Sequence, residues 1–143
     1  MKKYLQKKLN NEKGMTLIEL LAVIVIIAII AAIAIPAIGN IIENSRYGAA
    51  KSDVLNAFSA ANLYIAEEDG DPTDVADIIP VYMENSGTLA TDALFDRDAT
   101  DKLTISGTVT VDGENKTLAA TNRDTLAAMS SQEFKEELNP STP

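Results

Sequence analysis

The 143-residue chain contains no cysteine and no histidine. The first absence removes disulfides, which small external domains often use as braces. The two together exclude Cys–His and Ser–His catalysis, zinc sites with Cys or His ligands, and an imidazole switch near neutral pH. Basic residues are also scarce over most of the chain: residues 53–143 carry 18 acids and 5 bases. An acidic exterior of this kind keeps a domain soluble and argues against phosphate-driven nucleic-acid binding, which needs clustered Lys and Arg. The length suffices for one small domain, which buries a smaller share of its surface than a large one does.

What is present is segregated. Residues 1–14 hold Lys2, Lys3, Lys7, Lys8 and Lys13 against Glu12. From Leu20 to Ile38 there are 19 residues without a charged or hydrogen-bonding side chain. As a helix this run covers roughly 28 Å, close to the hydrocarbon thickness of a bilayer. The lysines before it place the N-terminus in the cytoplasm and the acidic domain outside. The run is longer than the apolar centre of a cleaved secretory signal, and a plain single-pass anchor leaves Glu19 unexplained. Read alone, Glu19 could be an interfacial acid of little consequence, because a membrane-edge carboxylate costs less than a central one.

The stretch "EKGMTLIEL", Glu12 to Leu20, adds specificity. A basic leader ends in Gly14, and Met15, Thr16-Leu17-Ile18-Glu19 and the apolar run follow, with Pro36 further on. This arrangement resembles the class III signal of type IV pilins and related prepilins over about thirty residues (an approximate extent set by the apolar run). The resemblance implies cleavage by a prepilin peptidase between Gly14 and Met15 and methylation of the new amine of Met15. Met15 stands where pilins most often have phenylalanine. It also implies that Glu19 pairs with the amine of Met15, on its own chain or a neighbour's, and so registers subunits during assembly. Two physical reasons fit these roles. Glycine lets a protease hold the backbone closely, and a carboxylate buried among packed helices needs a partner.

After Asn40 the pattern becomes amphipathic. Tyr47, Ala50, Val54, Phe58, Ala61 and Ile65 recur at spacings of three and four, whereas Arg46, Lys51, Asp53 and Asn56 fall on other faces. This predicts one helix from about Thr16 to Ala66, its second half packed under a head. Pro36 lacks an N–H and opposes the carbonyl of Ala32, and Gly39 follows, so the two mark a weak point. Gly70 is expected to stop the helix, with Asp71 as N-cap of a short helix over Pro72–Asp77. Residues 84–101 read as loop. Leu103, Ile105, Val109 and Val111 alternate as a strand, Asp112 to Asn115 reads as a turn, and Lys116 to Thr121 as the returning strand. Ser130 and Glu133 form a capping-box pattern before a last helix, and "NPSTP" reads as a frayed tail.

The expected fold is therefore α+β: a long N-terminal helix on a small antiparallel β-sheet head. Residues 1–14 are the leader, 15–40 the transmembrane or filament-core helix, and 41–143 the acidic head with the amphipathic half of the helix. No catalytic, cofactor or metal site is expected. Asp96, Asp98 and Asp101, and Asp69, Asp71 and Asp74, are spaced closely enough to suggest calcium, but neither set has the full loop pattern, and a solvated acidic loop reads better. Asn115-Lys116-Thr117 is a formal glycosylation sequon. The function implied is a non-enzymatic type IV pilus subunit serving adhesion, motility or DNA uptake. Its partners would be copies of itself, the prepilin peptidase, the assembly platform with its ATPase, and the membrane before assembly. Absence of cysteine fits a Gram-positive-like pilin. The alternatives are a pseudopilin of a type II secretion or competence system and, outside the family, a membrane-anchored binding or sensor protein.

Overall fold

The computed structural model describes residues 16–68 and 70–140. A helix α1, Leu17–Glu67, of 51 residues is followed by a short helix α2, Val75–Ile78. Strands β1 (Leu94–Arg97), β2 (Leu103–Val111) and β3 (Glu114–Asn122) come next. Helices α3 (Arg123–Ala128) and α4 (Ser131–Glu137) and a two-residue strand β4, Asn139–Pro140, end the described chain. The sheet is antiparallel in the order β1-β2-β3-β4. The long helix and the antiparallel sheet make the fold α+β, as expected. The chain divides into two compact units, the first ending at Asn40 and the second running Ile41–Pro143.

Within the second unit, α1 presents Tyr47, Ala50, Val54, Ala57, Phe58, Ala60 and Ala61 to the core. The sequence pattern found Tyr47, Ala50, Val54, Phe58 and Ala61. Ile65, on the same stripe, is only half-buried. Four alanines are among these buried residues, and Phe58 is the largest side chain on the face. Ile105, Val109, Val111 and Leu118 supply the sheet's share of the core, and Leu126 and Phe134 bring α3 and α4 against it. Lys51 reaches the end of α3, where its ammonium donates to the carbonyls of Ala127 and Met129. A cation there complements the unpaired carbonyls of a helix C-terminus.

Several local expectations need correction. The short helix begins after Asp74, not Asp71. The Asp74 carboxylate accepts from the amides of Ala76 and Asp77, while Asp77 reaches back to cap it. The amides of Val75 and Ala76 donate to the carbonyls of Ala93 and Thr91, at 3.0 Å each, which anchors the start of α2. Residues 84–101 are not all loop. Leu94–Arg97 pairs with β2, and the Thr88–Ala90 segment bonds to Thr108 and Thr110 of the same strand. The turn after β2 holds two residues, Asp112 and Gly113, both at positive φ (60° and 79°), so Glu114 already pairs with Val111. That is the geometry of a type I′ hairpin, which an Asp-Gly pair favours. Helix α3 was not expected; Asn122 caps it by accepting from the amide of Thr125. Asn139 and Pro140, read as tail, pair with Thr117 and Lys116. The capping box of Ser130 and Glu133 is present as expected.

Two positions fix the loop that precedes β1. Gly107 has φ 152°, and a Cβ there would stand 2.6 Å from the Cβ and 2.7 Å from the Cα of Ala93. Asp53 on α1 accepts from the amide and hydroxyl of Thr88, each at 2.8 Å, directly against Gly87. The edge of β1 away from β2 is closed in turn. Phe95 donates its amide to the Thr73 carbonyl, and the Arg97 amide is taken by the side chain of Asp96. The Arg97 guanidinium grips Asp71 bidentately, with both contacts at 2.6 Å.

Two outcomes follow for the full-length protein in detergent. Gly107→Ala should lower stability by about 2 kcal/mol or more, because steric overlap and backbone strain act together. Gly70→Ala, whose added Cβ meets nothing within 4 Å, should leave the melting temperature nearly unchanged. Thermal melts followed by circular dichroism compare the two. The hydrogen bond from Arg97 holds the Asp71 carboxyl below the usual aspartate range. A depressed carboxylate stabilises the fold above its unfolded-state pKa, near 4, and loses that contribution as pH falls below it. The difference in melting temperature between the parent and Asp71→Asn should therefore be constant near neutral pH and shrink toward zero in acid. A gap that persists at low pH would refute the ionic reading.

Candidate functional site: the N-terminal helix

Gly14 and Met15, the expected cleavage and methylation positions, lie outside the described residues, as do the leader lysines. The described segment opens with Thr16. Its amide donates to the Glu19 carboxylate at 2.7 Å and its hydroxyl to the same oxygen at 2.9 Å. The Glu19 amide donates back to the Thr16 hydroxyl at 3.3 Å. Thr16 and Glu19 thus close a reciprocal cap on the first turn of α1, in the Thr-x-x-Glu spacing of a capping box. A carboxylate in the first turn also faces the positive end of the helix dipole. Sequence reasoning paired Glu19 with the amine of Met15, on its own chain or a neighbour's, and missed this cap on Thr16, although the spacing carries the signal.

From Leu20 onward the segment is hydrocarbon and exposed. Every large aliphatic side chain from Leu17 to Ile38 is exposed, with Leu17 at 87% and Ile33 and Ile35 at 70%. Alanines 31 and 34 are half-buried, and no residue from 16 to 40 is buried. A side chain of this size gains about 1.5–3 kcal/mol on leaving water. A sleeve of some fifteen such residues must therefore be covered by lipid or by other chains. The helix is long and apolar enough to cross a membrane. Pro36 lies inside α1, and a Cβ on Gly39 would meet nothing within 4 Å.

The acidic loops are engaged internally. Asp71 is held by Arg97, and Asp74 caps α2. Asp98 accepts from the hydroxyl and amide of Thr100 and from the amide of Lys102, which holds its carboxyl below the usual range. Asp101 lies 3.6 Å from Arg97, while Asp96 accepts from the Arg97 amide. Asp69 lies outside the described residues. Among the described residues, no group of three or more His, Cys, Asp or Glu side chains is arranged to hold a metal ion. Asn115, in the sequon, follows the β2–β3 turn, where its side-chain oxygen accepts from the Thr110 hydroxyl at 2.9 Å.

Residues 9–35 match the family model of the prokaryotic N-terminal methylation motif. Neither the curated proteins nor the solved structures give a match. The matched span includes Gly14, Met15 and Glu19 and runs into the exposed helix, up to the residue before Pro36. The apolar helix and this signal together fit a membrane-anchored protein. The match supports a type IV pilin-like prepilin with a class III signal peptide.

Proposed function

We propose that the protein is a structural, non-enzymatic subunit of a type IV pilus. It is inserted as a prepilin with the head outside, cut between Gly14 and Met15 by a prepilin peptidase, and methylated on Met15. It is then lifted from the membrane into a helical filament by an assembly platform and its ATPase. The observation that carries this reading is the coincidence of the methylation motif over residues 9–35 with a helix whose apolar half is exposed on all sides. A single anchor needs only one covering, lipid. A lone anchor surrounded by lipid is apolar on every side as well, so it is the methylation motif that favours a filament subunit, whose helix lipid covers first and sister helices later.

Glu19 has two states under this reading. Before assembly its carboxylate is occupied by Thr16. In the filament it meets the cationic amine of a mature N-terminus, and a subunit out of register leaves a charge unpaired in hydrocarbon. Pro36 and Gly39 are the places where the helix loosens as it leaves lipid. Adhesion, surface motility or DNA uptake would be the cellular output.

Mass spectrometry of the protein from its native membrane should find an N-terminus at N-methylated Met15; an intact leader would overturn the proposal. Glu19→Ala should still be cut and methylated, yet yield at least roughly tenfold fewer sheared fibres, the loss expected for one buried charge pair. Wild-type fibre yield from that variant would remove Glu19 from assembly.

A further inference from the structure

The second unit carries 19 acids and 7 bases from Glu43 onward, and nearly every base is committed within the chain. Arg46 pairs with Asp112, Arg97 with Asp71, Lys102 with Asp124, Lys116 with Glu114 and Lys135 with Glu43. Lys51 donates to the two carbonyls at the end of α3. Arg123 alone among the described Lys and Arg residues stands in no ion pair and no hydrogen bond, on a domain with acids to spare. It is exposed, at the first position of α3.

Arg123 lines a pocket of about 170 Å³ together with Lys102, Asp124 and Asn62, against Phe58 and Leu103. Phe58 is buried and Leu103 half-buried, so part of the wall is apolar. The Lys102 ammonium holds the Asp124 carboxylate at 2.7 Å. Asp124 also attracts Arg123 at longer range, and Asp98 acts on Lys102 from beyond the lining, so the positive charge without a close partner is the Arg123 guanidinium, whose fork matches a carboxylate. One incoming carboxylate supplies that partner.

We infer that the Arg123–Lys102 pocket receives a carboxylate from the head of a second copy of this chain. The inference rests on the filament reading. Subunits of a filament meet through heterologous contacts, in which one face of a copy fits a different face of the next. Heads of equal negative charge repel unless such a contact matches a positive site with an acid. The pocket is that positive site, and the acids are abundant: Glu84 and Asp92 are exposed and stand in no ion pair or hydrogen bond among the described residues.

The test uses full-length protein expressed in its host, with filaments sheared from cells and quantified. Arg123→Glu should be cut and methylated normally but lower fibre yield by roughly tenfold or more, the loss of a charge-assisted hydrogen bond. Arg123→Lys should retain most of the yield. Arg123→Gln, a milder change at an exposed position, should give fibres weaker than the parent's at low salt by a margin that shrinks toward half-molar salt, because screening weakens the contact that the variant lacks while acting alike on the repulsion both share. Parent-like yield from Arg123→Glu, or parent-like salt dependence in Arg123→Gln, would overturn the inference while leaving the filament reading intact. Absence of fibres from the parent chain itself would overturn the filament reading and this inference with it.

Discussion

The head depends on the burial of one face of α1 in the core it shares with the sheet, α3 and α4. With no disulfide available, the hydrophobic effect has to hold a domain of about a hundred residues, a size at which burial is barely sufficient. Four alanines and Phe58 on one helix face answer that constraint. The small residues are fully covered, and Phe58 fills the core with a single large side chain. The other devices bring outlying segments to this seam. Asp53 ties down the loop before β1, Lys51 collects the end of α3, and Gly107 lets Ala93 lie against β2 where any side chain would push it off.

The two units obey different rules. In the second, most large apolar side chains are hidden and many surface charges stand in pairs. In the first, the large apolar side chains of the described residues face outward, and none of them is buried. Composition averaged over the whole chain conceals this, since a mean hydropathy near zero is the sum of a hydrocarbon segment and an acidic one. The single carboxylate at the start of the hydrocarbon is matched locally by Thr16, so the helix enters its apolar surroundings with that acid already hydrogen-bonded.

The parts legible in the sequence were those written as repeated spacing or fixed motif. The helix showed in the three-and-four spacing from Tyr47 to Ala61, β2 in its alternation, α4 in Ser130 and Glu133, and the processing signal in Gly14 to Glu19. The parts missed depend on partners distant in sequence. Strand β1 is four residues with two charges, and it exists because β2 and Thr73 bond to it. Asp71 looked like a cap because a proline follows it, but Arg97, twenty-six positions away, claims its carboxylate, and Asp74 caps instead. The cap of Glu19 on Thr16 was legible, and was overshadowed by the longer-range role that the same residue suggested.

The outer side of β1 has a consequence for contacts between copies of the protein. Exposed strand edges recruit strands from other molecules, and the result is amyloid-like stacking instead of ordered assembly. Here the edge amides of Phe95 and Arg97 are already spent on Thr73 and Asp96, and the Arg97 side chain is held by Asp71. Two copies that meet at this edge can touch through their side chains, but the amides that would extend the sheet from one to the other are already taken.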